Sequence, residues 1–475
     1  MRKTKIISTV GPSTENPLII DRMLSAGTDV IRFNLSHGEH KWHASMIKKV
    51  RRIAKKKGRP VAVMVDLQGP RIRTGRLKDS KPVNLKRGQN IVITTEEVLG
   101  DDSLIFTPYK NLPKDVRKGS RILLDNGTIE LKVIKTSSGS VHLRIVSGGV
   151  LGENKGINLP GINISAPTFT EKDRKDLAAA LDWGVDYVAV SFVRRGEDIN
   201  LIRDFIKRRG CNIPVIAKIE REEGVINIDK ILDASDGVMV ARGDLGVEMG
   251  PQKVPLLQKS IIRKADEKGK IVITATQMLE SMMENPAPTR AEVSDVANAI
   301  LDGTDAVMLS GETARGKFPV EAVRIMDTVA REVEGEITYT AWSPYHRKIA
   351  PSWAVAHSAC NAAHEISAKA IIVYTISGRT ALMVSKFKPV VPIIVLTPDM
   401  DTYNRIALVR GASPIIIPFG VSTDRMLSVG EKALIESRLL KKGDTVVVIA
   451  GTTDMRGATN MMKIDRIGDY RKKKE

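Results

Sequence analysis

Eight short β-branched runs, each followed by a helix-like stretch, constrain the fold of this chain more than any other feature. They fall at residues 5–10, 29–34, 60–66, 186–192, 214–219, 237–241, 271–276 and 305–309. Near-continuous apolar runs of this kind belong to strands buried on both faces, the situation in a parallel sheet flanked by helices. Eight parallel strands, each trailed by a helix, is the number that closes a TIM barrel, whose working site lies at the C-terminal ends of the strands. The expected fold class is therefore α/β, a (β/α)8 TIM barrel built from residues 1–69 and 168–341.

Residues 70–167 break this rhythm. Turn signals such as Asp125-Asn126-Gly127, Ser147-Gly148-Gly149 and Leu159-Pro160-Gly161 separate short alternating strands such as 91–94 and 141–146. The segment reads as an inserted all-β domain, expected as a β-barrel lid. Beyond the loop at 342–347, strand-like runs at 370–375, 392–397, 414–418 and 444–450 alternate again with helical segments. Residues 342–475 read as a smaller C-terminal open α/β domain.

Composition narrows the function classes. The formal charge is +19, from 74 basic and 55 acidic residues, which suits nucleic acid, a membrane surface or anionic small molecules. Only 4% of residues are aromatic, which leaves little of the stacking chemistry of single-strand binders, so no nucleic-acid partner is expected. The densest basic run, residues 48–59, carries eight cations around Val50, Ile53 and Ala54 and reads as the solvated face of an amphipathic helix. No apolar run approaches a membrane span, and Met1-Arg-Lys-Thr-Lys leads into the first strand without a signal peptide, so no membrane partner and a cytoplasmic location are expected. Cys211 and Cys360 stand apart without metal-ligand spacing, which excludes a disulfide framework or a zinc site of the usual pattern.

Polar residues gather at the expected strand ends: Arg32, Asn34, Ser36 and His37 after the second, Asp66 and Gln68 after the third, Ser191 after the fourth. Lys218 and Glu220 follow on the fifth, Ala241 to Asp244 on the sixth, Thr276 on the seventh, and Ser310 and Glu312 on the eighth. Glu220 and Asp244 lie beyond adjacent strands, where two carboxylates can share a hard cation such as Mg²⁺ and leave its other positions to substrate oxygens. A carboxylate pair equally suits acid/base work. Lys218, two residues before Glu220, points to the same side of an extended strand, beside the metal or as a plain ion-pair partner. An ammonium, a guanidinium from Arg32 or Arg73 and a divalent cation in one cleft call for a highly anionic substrate, such as a phosphoryl group in transfer.

The strings Val30-Ile-Arg-Phe-Asn-Leu-Ser-His-Gly38, Asp66-Leu-Gln-Gly-Pro-Arg-Ile-Arg-Thr-Gly75, Ala217-Lys-Ile-Glu220, Val240-Ala-Arg-Gly-Asp-Leu-Gly-Val-Glu248, Ala275-Thr-Gln-Met-Leu-Glu-Ser281 and Met308-Leu-Ser-Gly-Glu-Thr-Ala314 resemble the signature segments of the pyruvate kinase family, in family order. The resemblance covers nearly the whole chain. It implies transfer of a phosphoryl group from phosphoenolpyruvate to ADP, giving pyruvate and ATP in glycolysis, with Mg²⁺ or Mn²⁺ as cofactor and a homotetrameric assembly. It implies that Glu220 and Asp244 hold the metal and that Lys218, Arg32 and Arg73 serve the transferring phosphoryl group. Ser191, the segment Ala241, Arg242, Gly243 and Asp244, and the Thr276 hydroxyl fall at substrate positions. Thr276 is linked in the family to protonation of the enolate, here expected as one end of a relay with Ser310 and Glu312. Pro12, Asn34, His37 and Lys155 fall on the nucleotide side, Lys155 reaching in from the inserted lid.

Two positions carry further expectations. Most members of the family hold K⁺ near the equivalents of Asn34, Ser36, Asp66 and the Leu67 carbonyl, with a glutamate where this chain has Arg71. A fixed guanidinium there replaces the charge of K⁺ and repels the ion, so the expected enzyme is independent of K⁺. In the C-terminal domain, Ser377, Gly378, Arg379 and Thr380 lie between a strand end and a helix start, where backbone N–H groups favour phosphate. The family binds phosphorylated effectors here, and Arg456 and Lys463 would add charge. A lyase or phosphomutase on the same barrel and a non-catalytic anion binder are the competing readings.

Overall fold

A computed structural model describes residues 2–337, 350–419, 422–451 and 459–469. The eight expected strands form one closed parallel barrel: Lys5–Thr9, Val30–Asn34, Ala62–Leu67, Tyr187–Val190, Val215–Ile219, Gly237–Ala241, Ile271–Ala275 and Ala306–Leu309. Closure is made by the first and last strands, with Lys5 opposite Ala306 and Ile7 opposite Met308. Alternate residues point inward, so Ile7, Met64, Tyr187, Ile216, Met239, Ile273 and Met308 fill the interior. The outward set, including Ile31, Val63, Val188, Val215 and Val238, packs under the helices.

Three of the strands that begin later than the apolar runs suggest do so after Asp29, Asp186 and Asp305, which belong to a repeated device. Asp29, Asp186, Asp236 and Asp305 stand just before their strands, and each carboxylate accepts the backbone N–H of a residue in a neighbouring strand: Ile6 at 2.9 Å, Val63 at 2.6 Å, Val215 at 2.8 Å and Val272 at 2.8 Å. These aspartates fasten the N-terminal end of the barrel, opposite the strand tips that carry the polar set.

The insertion contains an open six-stranded sheet and a separate ribbon of Val83–Leu85 with Gly149–Leu151. The sheet runs in the order Ile157–Asn158, Arg121–Leu124, Ile129–Thr136, Ser140–Ser147, Asn90–Thr94 and Leu104–Phe106. The expected β-barrel is corrected on this point. The two edge strands, two and three residues long, pair only with their inner neighbours and not with one another, so the sheet stays open. Its core, built around Ile93, Leu131 and Leu143, is separate from that of the barrel.

The C-terminal domain is an open five-stranded sheet in the order Ala412–Ile416, Ile393–Thr397, Ala370–Tyr374, Thr445–Ala450 and Met461–Arg466. The last strand is antiparallel and was not expected, because its alternation of apolar and charged residues leaves no continuous apolar run. This domain docks on the base of the barrel. Ala407 and Leu408 join the barrel interior, the Tyr187 hydroxyl donates to the Arg405 carbonyl at 2.9 Å, and the fully buried Lys386 ammonium bonds Asp266 at 3.1 Å and Asp305.

Candidate active site

A cavity of about 900 Å³ opens at the C-terminal ends of the barrel strands. Its lining includes the expected residues Pro12, Arg32, Asn34, Ser36, His37, Arg71, Ser191, Lys218, Glu220, Ala241, Asp244, Thr276 and Ser310. Each comes from a strand tip or the loop beyond it, so the barrel itself brings together groups nearly 300 residues apart.

The floor is a buried charge network. The Lys218 ammonium donates to Ser191 Oγ at 2.7 Å and stands 2.9 Å from Glu220 and 3.2 Å from Asp66. Asp66 takes two N–H groups of Arg32 on Oδ2, at 2.8 and 2.6 Å, and Ser191 Oγ on Oδ1 at 3.3 Å. Arg32 is held from its other side by Thr9 Oγ1 at 2.9 Å. Burial opposes charge on Lys218, yet Asp66 and Glu220 outweigh it and hold the ammonium above its ordinary pKa. Burial likewise works against the Asp66 carboxylate, but Lys218 and Arg32 keep it below the usual range. The lysine is a fixed cation and not a Schiff-base nucleophile.

Glu220 is placed differently. Burial pushes its carboxyl upward, and the Asp244 charge adds to that push against the pull of Lys218. Its second oxygen accepts the Phe192 N–H at 2.7 Å. Two carboxylates that lie in one cavity, one burdened by the other, are the donor set that a divalent cation relieves. Glu220 and Asp244 thus fit the expected metal, and the described residues contain no larger cluster of His, Cys, Asp and Glu able to hold an ion.

The seventh and sixth strand tips are locked together. Thr276 has φ 71° and Gln277 φ 55°, left-handed conformations that a β-branched residue rarely adopts. The Thr276 hydroxyl donates to the Ala275 carbonyl at 2.6 Å and accepts the Gly243 N–H at 2.7 Å. Arg242 braces this turn from outside the cavity, donating to the Thr276 carbonyl at 2.8 Å and pairing with Asp295 at 2.6 Å. Its side chain is a support, while the start of the helix Arg242–Met249 faces the cavity through Asp244. Gly69, at φ 66°, leaves no room for a side chain, since a Cβ would come within 3.0 Å of the Ser191 carbonyl and 3.2 Å of the Phe192 ring.

Other expected residues lie apart. Glu312 is buried behind the cavity, where its carboxylate accepts the N–H of Ser310 at 2.7 Å and of Leu279 at 3.1 Å, so it ties the seventh and eighth tips and makes no hydrogen bond to Thr276. Lys155 pairs with Asp125 at 3.0 Å inside the inserted domain. Arg73 is outside the lining, but its charge reaches the cavity. Burial first, then Arg73, Arg71, Arg315 and Arg32, hold the His37 imidazole below its ordinary pKa. The Leu67 carbonyl accepts Ser191 Oγ at 2.7 Å and Asn34 Oδ1 accepts the Ser36 N–H at 3.1 Å. Arg71 is exposed at the cavity rim.

Arg315, Thr9 and Trp42 line the cavity without having been expected there. Arg315 follows the quoted 308–314 string by one residue, and Thr9 is the polar end of the first strand, so strand-tip position was the available signal for both. Trp42 sits on the helix His40–Lys56, and its indole N–H donates to Glu15 at 2.8 Å.

In the C-terminal domain, Gly378 caps the helix Arg379–Lys386 with φ 77°, and its N–H donates to Thr375 Oγ1 at 3.1 Å. Thr380 Oγ1 bonds Thr459 Oγ1 at 2.7 Å, Ser377 and Arg379 are exposed, and Lys463 pairs with Asp465 at 2.6 Å. Arg456 lies outside the described residues.

Comparison with known proteins agrees with this architecture. Family models described as the barrel domain and the alpha/beta domain of pyruvate kinase match residues 1–323 and 353–465. The chain is 45% identical over 475 residues to a pyruvate kinase of Geobacillus stearothermophilus, covering 98% of this chain and 81% of that protein. It is 43% identical over 476 residues to that of Sporosarcina psychrophila, covering 99% and 81%. A crystal structure of a pyruvate kinase from Cryptosporidium parvum superposes with a TM-score of 0.93 at 39% identity, over 98% of this chain and 96% of that one. With its barrel, its insertion and its C-terminal sheet all matched, this chain belongs to the pyruvate kinase family and is a phosphotransferase.

Proposed function

We propose that the chain transfers the phosphoryl group of phosphoenolpyruvate to ADP, giving pyruvate and ATP, as a step of glycolysis in the cytoplasm. The observation that carries this reading is the buried Lys218 ammonium, held at 2.9 Å from Glu220 and 3.2 Å from Asp66 beside Arg32. Such a cluster is preorganised for charge that spreads over the oxygens of a phosphoryl group as its bond to the enol oxygen breaks and its bond to an ADP β-phosphate oxygen forms.

Lys218 and Arg32 face the transferring group, while Asp66 and Ser191 fix their positions. Glu220 and Asp244 hold Mg²⁺ or Mn²⁺, which when bound supplies electrophilic charge to the substrate oxygens. The strained Thr276 turn and the backbone of residues 241–244 receive the substrate carboxylate. The enolate left after transfer takes one proton at its methylene carbon, delivered from water held by the Thr276 and Ser310 hydroxyls, with Glu312 holding the tip on which Ser310 stands. Pro12, Asn34 and His37 take the nucleotide side. Lys155 reaches that side only when the inserted domain swings over the cavity, a closure that excludes water as a competing acceptor.

Arg71 stands in for K⁺. Its guanidinium lies at the rim, and the Asp66 carboxylate that would ligate K⁺ is already engaged by Arg32, Lys218 and Ser191. A homotetramer and a phosphorylated effector at Ser377, Gly378, Arg379 and Thr380, with Arg456, complete the reading. The test is a pair of variants, Lys218→Met and Glu220→Gln, each expected to lose pyruvate formation by at least about 10³-fold while keeping the circular-dichroism spectrum of the parent. Near-parental turnover in either variant would overturn the assignment.

A further inference from the structure

The outer face of the inserted domain carries charge that the reaction does not use. Arg121, Lys132 and Arg144 sit directly opposite one another on three adjacent antiparallel strands, Lys132 paired with Arg121 on one side and with Arg144 on the other. The residues flanking Lys132 and Arg144, namely Leu131, Val133, Leu143 and Ile145, are buried, so both cations project from the solvent face of the sheet. Like charges in directly opposed positions destabilise a sheet. Arg121 is relieved by Glu130 at 2.7 Å. Among the described residues, no carboxylate lies within ion-pair distance of Lys132 or Arg144, nor of Arg87 and Lys118, which close the same groove from two turns.

The groove has a volume of about 610 Å³, and the half-exposed Ile134 and Val146 lie beside the cations on the same face. That is the size of a small-molecule site. No aromatic side chain lines it, so a nucleobase would find no stacking surface. Lys132 and Arg144 stand on neighbouring strands about 4.8 Å apart, and the turns that carry Lys118 and Arg87 pair on their two outer sides, the Gly119 N–H with the Val133 carbonyl and the Gly88 N–H with the Ile145 carbonyl, so the four unpaired cations form a linear array across the groove. A linear chain of linked phosphates follows such an array along its length, whereas a compact carboxylic acid meets only part of it. From this geometry we propose that the groove formed by Arg87, Lys118, Lys132 and Arg144 is a binding site for a condensed phosphate chain, separate from the catalytic cavity.

Inorganic tripolyphosphate is the probe, measured by calorimetric titration of the full-length protein at about 50 mM and about 200 mM salt, where screening separates an electrostatic site from an apolar one. The parent is expected to bind, with affinity falling several-fold at the higher salt. The Lys132→Glu/Arg144→Glu variant is expected to lose at least about tenfold in affinity, and Lys218→Met, altered in the catalytic cavity, to bind as the parent does. Arg144→Gln serves as a milder variant that keeps the strand pairing and should weaken binding several-fold. Citrate, a trianion without a phosphate chain, should bind at least about tenfold more weakly. Parent-like affinity in the double variant, loss of binding in Lys218→Met alone, or citrate bound as tightly as tripolyphosphate would each overturn the proposal. A longer polyphosphate bound more tightly, in proportion to its length, supports the linear array. A single-stranded oligonucleotide bound more tightly than a polyphosphate of equal charge would overturn it in favour of nucleic acid.

Discussion

Asp66 and Arg32 form a two-point bond at the floor of the cavity, with both guanidinium N–H groups on the same carboxylate oxygen at 2.8 and 2.6 Å. The other oxygen faces Lys218 and Ser191, so one carboxylate balances two cations that both line the cavity. Taking the charge from Asp66 leaves Arg32 without its partner and Lys218 with Glu220 alone. Asp66→Asn is therefore expected to destabilise the folded chain by about 3 kcal/mol, the lower end of the cost of breaking a buried pair. Urea unfolding checks this: the midpoint should fall with the slope unchanged, and an unmoved midpoint would contradict it.

At Thr276 stability and activity should separate. A left-handed threonine costs about 1–2 kcal/mol, which glycine would recover, while the lost hydrogen bond to Gly243 and the added chain freedom cost a similar amount. Thr276→Gly is expected to melt within about 3 °C of the parent and to turn over at least about 10²-fold more slowly. Thermal scans and steady-state rates on one preparation check both, and retained turnover would remove Thr276 from the reaction.

A carboxyl group beneath the inserted domain should impose a pH dependence on stability. Burial, reinforced by Glu223 and Asp244 against the pull of Arg221, pushes Glu248 up to about 7. Between an ordinary value of 4.5 and about 7, the folded chain keeps a proton that the unfolded chain has released, so this contribution to stability is present at low pH and is lost as pH rises through 7. Glu248→Gln has no such proton to lose. The parent should match the variant near pH 5 and melt below it near pH 8, and a difference that stays constant across that range would contradict the assignment.

Much of this architecture was legible because it rests on pattern. The eight barrel runs are buried on both faces, so their β-branched character is continuous and their spacing counts the strands. In the edge strand Met461–Arg466 the exposed face carries Met462 and Ile464 while Lys463 and Asp465 are half-buried, so neither a continuous apolar run nor an apolar-in, polar-out alternation marks it. Site residues could be listed from strand tips, but which of them share a partner could not. The engagement of Asp66 by Arg32, Lys218 and Ser191 joins four elements, and nothing local in the sequence distinguishes Glu312 as a backbone clamp from Glu312 as a proton relay. Lys386 looks like any helix-ending lysine, and only the docking of two domains buries it between Asp266 and Asp305. The unpaired row of Lys132 and Arg144 likewise exists only through strand register.

Arg71 as a built-in cation makes a reciprocal prediction. Arg71→Glu places an acidic residue where the guanidinium stands and removes a positive charge from the rim. Its activity should fall at least about tenfold in tetramethylammonium buffer and recover when K⁺ is added, and an unchanged profile would assign Arg71 to the solvent.

The most direct measurement is pyruvate formation by the unmodified protein from phosphoenolpyruvate, ADP and Mg²⁺ in tetramethylammonium buffer, with and without added K⁺. Equal activity in the two conditions is the result expected of a cationic phosphoryl-transfer cleft that carries its own monovalent charge. Activity only in the presence of K⁺ would contradict the role of Arg71, and no pyruvate in either condition would contradict the assigned reaction itself.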